Sequence, residues 1–92
     1  MTDLNQLRAI PILRVADALG IQYGKVGSGL YAMRSTENPG EFTSLHLFER
    51  TNSWYRFSGK EQNGVIGGSV IDLVIYERGG SVKEAIDYLK KI

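Results

Sequence analysis

The segment SWYRFSGK, residues 53–60, interleaves aromatic and basic side chains in a way that could bind nucleic acid. From Arg50 to Lys60 the chain carries basic residues and no acidic one, although the net charge of the whole protein is only +1. An aromatic ring can stack a nucleobase, which contributes about 1–3 kcal/mol, and a nearby cation can neutralise a phosphate. The segment therefore predicts a surface that binds single-stranded nucleic acid. In the alternative interpretation, Trp54 is a core residue and Arg56 a solvated strand residue.

The composition excludes several other kinds of site. The chain has no cysteine and a single histidine, His46. Disulfides, thiolate chemistry and a structural zinc held by Cys or His ligands are therefore excluded. His46 has no nucleophile motif beside it, and the glycines ahead of Ser69 lack the Gly-Lys-Ser/Thr ending of a phosphate-binding loop. We expect a protein that is not an enzyme and that holds neither metal nor cofactor.

The length of 92 residues predicts one soluble globular domain, residues 1–92. No run approaches the roughly 20 apolar residues that a membrane-spanning helix needs. The first residues, MTDLNQLRAI, lack the apolar stretch of a secretory signal. We expect a cytoplasmic protein without a membrane partner.

Hydrophobic spacing and turn residues predict a helix, then a small antiparallel sheet, then two helices. The first helix ends at Gly20, and residues 24–29 are predicted to form a flexible turn. Each of the last two helices starts after a serine that has an acid three residues later, which is a capping box. The predicted elements are a helix at 11–19, strands at 30–33, 42–48 and 54–57, and helices that start after Ser69 and Ser81. This order indicates an α+β domain with the helices packed on one face of the sheet.

Strand alternation assigns the side chains of the central hairpin to two faces. The face predicted to meet the helices carries Leu45, Leu47, Tyr55 and Phe57. The open face is predicted to carry His46, Trp54 and Arg56. In the last helix, the side chains predicted to be buried are Val82, Ala85, Ile86, Leu89 and Ile92.

The order of these motifs resembles the N-terminal zinc-binding domain of bacterial DNA primases over about residues 11–90. IPILRVADALGI resembles the opening helix of that family, and GLYAMRSTENPGEF resembles its first Cys-Pro-x-His knuckle and the turn that follows. WYRFSGK with GGSVIDLV resembles the second knuckle and the helix after it, and GGSVKEAIDYL resembles the closing helix. The resemblance implies a zinc-ribbon-like fold that contacts single-stranded template DNA while a separate domain makes primer.

The chain departs from that family at the metal site. In this alignment the four ligand positions are occupied by Tyr31, Arg34, Arg56 and Gly59. None is a zinc ligand of the family's kind, so the resemblance implies a metal-free, degenerate form that is held by packing. Aromatic side chains are expected to fill the volume around the missing ion, with Tyr31, Trp54 and Phe57 as the candidates.

These observations lead to two expectations about function. The first is a non-catalytic module that binds single-stranded DNA, acts in replication or transfer of a mobile element, and works with a replication protein such as a primase or helicase. The residues expected to bind DNA are Arg34, Arg50, Trp54, Arg56 and Lys60, with Tyr31 and His46 nearby. The second is a metal-free protein-interaction module that has lost DNA binding and docks through an apolar patch around Phe42 and Phe48.

Overall fold

A computed structural model describes residues 4–92, so the first three residues of the N-terminal stretch discussed above lie outside the described residues. The helices are α1 (Leu4–Arg8), α2 (Ile12–Ala18), α3 (Val70–Arg78) and α4 (Val82–Leu89). The strands are β1 (Tyr23–Gly27), β2 (Leu30–Arg34), β3 (Phe42–Phe48), β4 (Ser53–Arg56) and β5 (Gly67–Gly68). The predicted α+β class, with an antiparallel sheet between N-terminal and C-terminal helices, is confirmed.

The sheet has five strands in the order β1-β2-β3-β4-β5, and every neighbouring pair is antiparallel. The sequence predicts only three of them. The prediction of a flexible turn at residues 24–29 is wrong for the first half of that segment, which pairs with β2 as part of the edge strand β1. The second unexpected strand, β5, is a pair of glycines that pairs with β4 and forms the other edge of the sheet.

The helix α2 ends where the sequence predicts. Gly20 has a φ of +76°, and its amide donates to the Asp17 carbonyl at 3.1 Å. The next amide, that of Ile21, donates to the Ala16 carbonyl at 2.9 Å. These two bonds form a Schellman motif, which glycine favours because it adopts a positive φ without steric cost.

The two C-terminal helices start at the predicted serines. Ser69 and Asp72 form a complete capping box at α3, in which the Ser69 amide donates to Asp72 Oδ2 at 2.9 Å. At α4, Ser81 Oγ accepts from the Glu84 amide at 3.2 Å. The predicted burial of Val82 is wrong, since this side chain is 55% exposed and the buried stripe of α4 begins one turn later with Ala85.

The core lies between the helices and one face of the sheet. The helix α3 is at its centre, with six of its nine residues buried, and it contacts the other three helices as well as β4 and β5. Leu45, Leu47 and Trp54 meet it from the sheet. The opposite face of the sheet therefore has no helix over it within residues 4–92. In that same range, no helix has the length and apolar character needed to cross a bilayer.

Candidate nucleic-acid interface

The register of the β3–β4 hairpin decides which side chains face the helices. Leu47 lies opposite Trp54, and His46 lies opposite Tyr55. Directly opposed residues of an antiparallel pair project to the same face of the sheet. Since Leu47 is fully buried against the helices, Trp54 shares its face, and Tyr55 projects with His46 to the open face.

The predicted position of Trp54 on the open face is wrong. Its side chain is 2% exposed, and its Nε1–H donates to the Ser69 carbonyl at 3.0 Å. Its ring also contacts Tyr76 edge to face, with the centroids 4.9 Å apart. Trp54 is thus the core residue of the alternative interpretation, and it cannot stack a base. Alternation along a strand groups residues correctly but does not say which group is buried, and here the largest apolar ring is the one that packs on α3.

The same inversion brings an aromatic cluster to the open face. Phe57, which the sequence assigns to the core, is 61% exposed and lies at its centre. Its ring centroid is 5.0 Å from that of Tyr55, 5.2 Å from that of His46 and 6.2 Å from that of Phe48, always edge to face. We call His46, Phe48, Tyr55 and Phe57 the open-face cluster.

A second aromatic site extends the open face toward β1. Phe42 is 43% exposed, and the Arg34 guanidinium lies over its ring, 4.7 Å from the centroid. Both side chains lie above Gly24, where a Cβ atom would be 2.7 Å from Arg34 Nη2 and 3.0 Å from the Phe42 ring. Because Gly24 has no side chain, it leaves the space above β1 that Arg34 and Phe42 occupy.

His46 is the member of the cluster whose ring is held by a hydrogen bond to its own strand. Its Nδ1 is 3.0 Å from the Ser44 carbonyl, and because a carbonyl oxygen only accepts, Nδ1 is the protonated nitrogen of this pair. The bond fixes the ring orientation against Phe57. Two of the residues predicted to bind DNA, Arg34 and His46, therefore lie on the open face.

Two other predicted residues point away from it. Tyr31 packs against the core side of the sheet, where its ring meets that of Tyr23 edge to face at 5.7 Å. Arg56 is held by hydrogen bonds from Nη1 to the Tyr76 hydroxyl at 2.6 Å and from Nε to Ser44 Oγ at 3.1 Å. Arg56 thus links β4 to α3 and β3, a structural role that the sequence does not predict.

The last two predicted cations lie at opposite ends of the hairpin. Arg50 is exposed in the turn two residues after Phe48, and its Nη2 donates to Ser28 Oγ at 3.0 Å. Lys60 is exposed three residues after Phe57. Each end of the open-face cluster is followed in the chain by an exposed basic residue.

The four positions that the resemblance aligns with metal ligands serve other purposes in the structure. Tyr31 packs on the core, Arg34 covers Phe42, and Arg56 bonds to Tyr76. Gly59 has a φ of +75° in the turn after β4. No group of three His, Asp or Glu side chains that could hold a metal ion occurs in the part of the chain that the structure describes.

Sequence reasoning missed the two most useful side chains of the site, Tyr55 and Phe57. The available signal was the single tryptophan, because a Trp flanked by smaller aromatics on a strand is the side chain with the most apolar area to bury. Assigning Trp54 to the core would have placed Tyr55 on the open face by alternation. No family model, curated protein or solved structure matches this chain.

Proposed function

We propose that the open face of the sheet binds single-stranded DNA, with the open-face cluster stacking bases and the surrounding cations contacting phosphates. The observation that carries this proposal is the exposure of Phe57 (61%), Phe42 (43%) and Tyr55 (42%) on one uncovered sheet face. Rings exposed on strands are the usual stacking surface of proteins that bind single strands. Exposed apolar area of this kind in a folded domain marks a binding surface.

The cations around the cluster support a modest electrostatic contribution. Arg34 lies on the open face, and Arg50 and Lys60 follow the two ends of the hairpin. Arg56 does not count, because its guanidinium is bound to Tyr76 and Ser44. Three phosphate contacts give a slope of about −2 in a plot of log affinity against log salt, since each contact contributes about −0.7 for single strands.

The resemblance to the primase zinc-binding domain sets the biological context of this proposal. In that context the protein is a non-catalytic accessory of DNA replication or of the transfer of a mobile element. It acts in the cytoplasm, alone or as part of a longer protein, beside a primase or helicase. In this context Tyr31, Arg34 and Arg56, at positions aligned with metal ligands, stabilise the fold by packing and hydrogen bonding.

The test is binding of a labelled oligo-dT strand, measured by fluorescence anisotropy at low and moderate salt. The variants are Phe57→Ala and Phe57→Leu, and the control is Val82→Ala, which removes a similarly exposed apolar side chain from α4. Loss of one stacked base is worth about 1–3 kcal/mol, so we expect Phe57→Ala to weaken binding roughly fivefold to a hundredfold. Phe57→Leu keeps the apolar contact but not the aromatic face, and it should weaken binding nearly as much.

The buried tryptophan makes the experiment internally controlled. Trp54 is the only tryptophan, so its emission reports whether each variant is folded. A folded wild-type protein that does not bind at low salt, or equal affinity in the Phe57 and Val82 variants, would refute the proposal.

A second candidate function is docking of a protein partner on the same face. The net charge of +1 favours it, because most single-strand binders are more basic. In that case a partner that docks through apolar contacts would tolerate Phe57→Leu and would show little dependence on salt. The leucine variant therefore separates the two functions.

A further inference from the structure

A groove between α3 and the loop that joins β2 to β3 carries a carboxylate that the proposed interface does not use. It consists of two adjoining cavities of about 280 and 530 Å³. Both are lined by Met33, Ser35, Thr36 and Glu77, so they are continuous along the loop between β2 and β3. We call this feature the Glu77 groove. Together the cavities have the size of a small-molecule site.

Glu77 is the unusual residue of the groove. It is half-buried in the last turn of α3, and no hydrogen bond to its carboxylate occurs within residues 4–92. Burial raises its pKa above the ordinary value of 4.5, and the charge of Arg56 lowers it in part. A half-buried carboxylate that has no hydrogen-bond donors is stabilised when a ligand supplies them, and this stabilisation favours binding.

The cationic part of the lining suits a phosphate, although the larger cavity also contains the exposed carboxylate of Glu37. Lys60 lines the larger cavity and Arg34 the smaller one, whereas the Arg56 guanidinium of the larger cavity is already bound to Tyr76 and Ser44. The hydroxyl group of Thr36, which lines both cavities, adds a hydrogen-bonding group. A ligand that fits this lining has N–H donors at one end and a negative charge at the other.

The structure assigns this groove to one guanine nucleotide, whose base edge would donate to Glu77 and whose phosphate would meet Arg34 or Lys60. Guanine is the base with two adjacent N–H donors, N1–H and N2–H, on its Watson–Crick edge, and these match the two oxygens of a carboxylate. Adenine and cytosine present one amino group beside an acceptor nitrogen, which a carboxylate repels.

Arg34 connects the groove with the open face. Arg34 lines the smaller cavity, and its guanidinium covers Phe42 and donates to the carbonyl of Pro39, another residue of that cavity. Because Arg34 belongs to both, we expect a strand that passes it on the open face to place one base in the groove. For a guanine within a bound strand the inference rests on the proposed function, whereas a free guanine nucleotide presents the same base edge and needs only the groove.

The test compares GMP with AMP by following amide chemical shifts of the isotopically labelled full chain, up to about 10 mM nucleotide, where binding of a few kcal/mol is detected. We expect GMP to bind at least about tenfold more tightly than AMP, because a two-donor pair discriminates bases to that degree. Glu77→Gln should abolish the preference, whereas the control Asp87→Asn, an exposed carboxylate of α4, should retain it. Equal affinity for GMP and AMP in the folded wild type, or no shift with GMP, would overturn the assignment.

Oligo-dT separates the groove from the open face, since it contains no guanine. Phe57→Ala should lose oligo-dT binding and keep the preference for GMP over AMP. Glu77→Gln should keep oligo-dT binding and lose that preference. If GMP binds selectively but an oligo-dT strand with one added guanine gains no affinity, the groove serves a free nucleotide. If the wild type binds oligo-dT but not GMP, the proposed function stands and the groove assignment fails.

Discussion

Asn52 is the side chain whose removal should reveal most about how the hairpin is joined to the N-terminal helices. It lies in the turn between β3 and β4 and has a φ of +53°. Its Oδ1 accepts from the Ile12 amide at 2.6 Å, at the start of α2, where an amide has no partner within the helix. Its Nδ2 donates to the carbonyls of Arg8 at 2.7 Å and Ile10 at 2.8 Å. One amide thus supports the connection between α1 and α2.

The magnitude follows from these contacts. Three hydrogen bonds contribute about 1 kcal/mol each, so Asn52→Gly should lower the free energy of unfolding by about 3 kcal/mol while keeping a residue that tolerates a positive φ. Asn52→Ala should cost about 1 kcal/mol more, because alanine is strained in the left-handed region. These losses are large compared with the ~5–15 kcal/mol of total stability of a typical domain.

The assay is urea unfolding followed by Trp54 emission, with Asn38→Ala as the control. Asn38 is an exposed asparagine of the 35–41 turn, and its side chain makes none of the long-range bonds of Asn52. The control should stay within about 0.5 kcal/mol of the wild type. If Asn52→Gly is equally benign, the three bonds do not stabilise the fold and the reasoning is wrong.

Three further predictions concern Trp54, Glu77 and Gly67. Trp54→Phe should cost about 1–3 kcal/mol in urea unfolding, because it leaves the Ser69 carbonyl without the indole donor and creates a small void, and a change below about 0.5 kcal/mol would contradict that role. Glu77 has a raised pKa, so the folded state holds its proton more tightly than the unfolded state, and the wild type should lose stability as the pH rises from about 4.5 through the raised value. Unfolding at pH about 4 and about 7 should therefore show a smaller decline for Glu77→Gln than for the wild type, and equal declines would contradict this. Gly67→Ala should destabilise the β4–β5 pair in hydrogen exchange, because its Cβ would lie 2.9 Å from the Trp54 carbonyl oxygen and 2.6 Å from the Tyr55 ring, and unchanged exchange would contradict it.

Local patterns predicted the elements that local physics specifies. The capping box of Ser69, the glycine that ends α2, and the alternation of residues 42–48 all depend on neighbours a few residues away in the chain. Strand β1 was missed because Gly24 and Gly27 lower the intrinsic strand propensity. Gly24 is required there for a tertiary reason, since Phe42 and Arg34 lie over it, and no local pattern reveals that.

The candidate site was predicted in part. His46 was correctly placed on the open face, and Arg34, a predicted DNA-binding residue that was assigned to neither face, also lies there; the sequence further identified the hairpin that carries the aromatics. The inversion of Trp54 with Tyr55 and Phe57 arose because both assignments satisfy strand alternation, and only packing on α3 distinguishes them. The capture of Arg56 by Tyr76 joins residues 20 positions apart, which spacing along the chain does not indicate.

The strand order has a consequence for how fast this chain folds. Each strand pairs only with the strands next to it in the sequence, so the whole sheet can form by closing short loops. The slow step should be the docking of the chain ends, where Tyr88 donates to the Ala18 carbonyl across 70 residues. Because rates fall as contacts become less local, we expect folding on a timescale of about milliseconds, with the hairpins formed before α4 reaches the N-terminal helices.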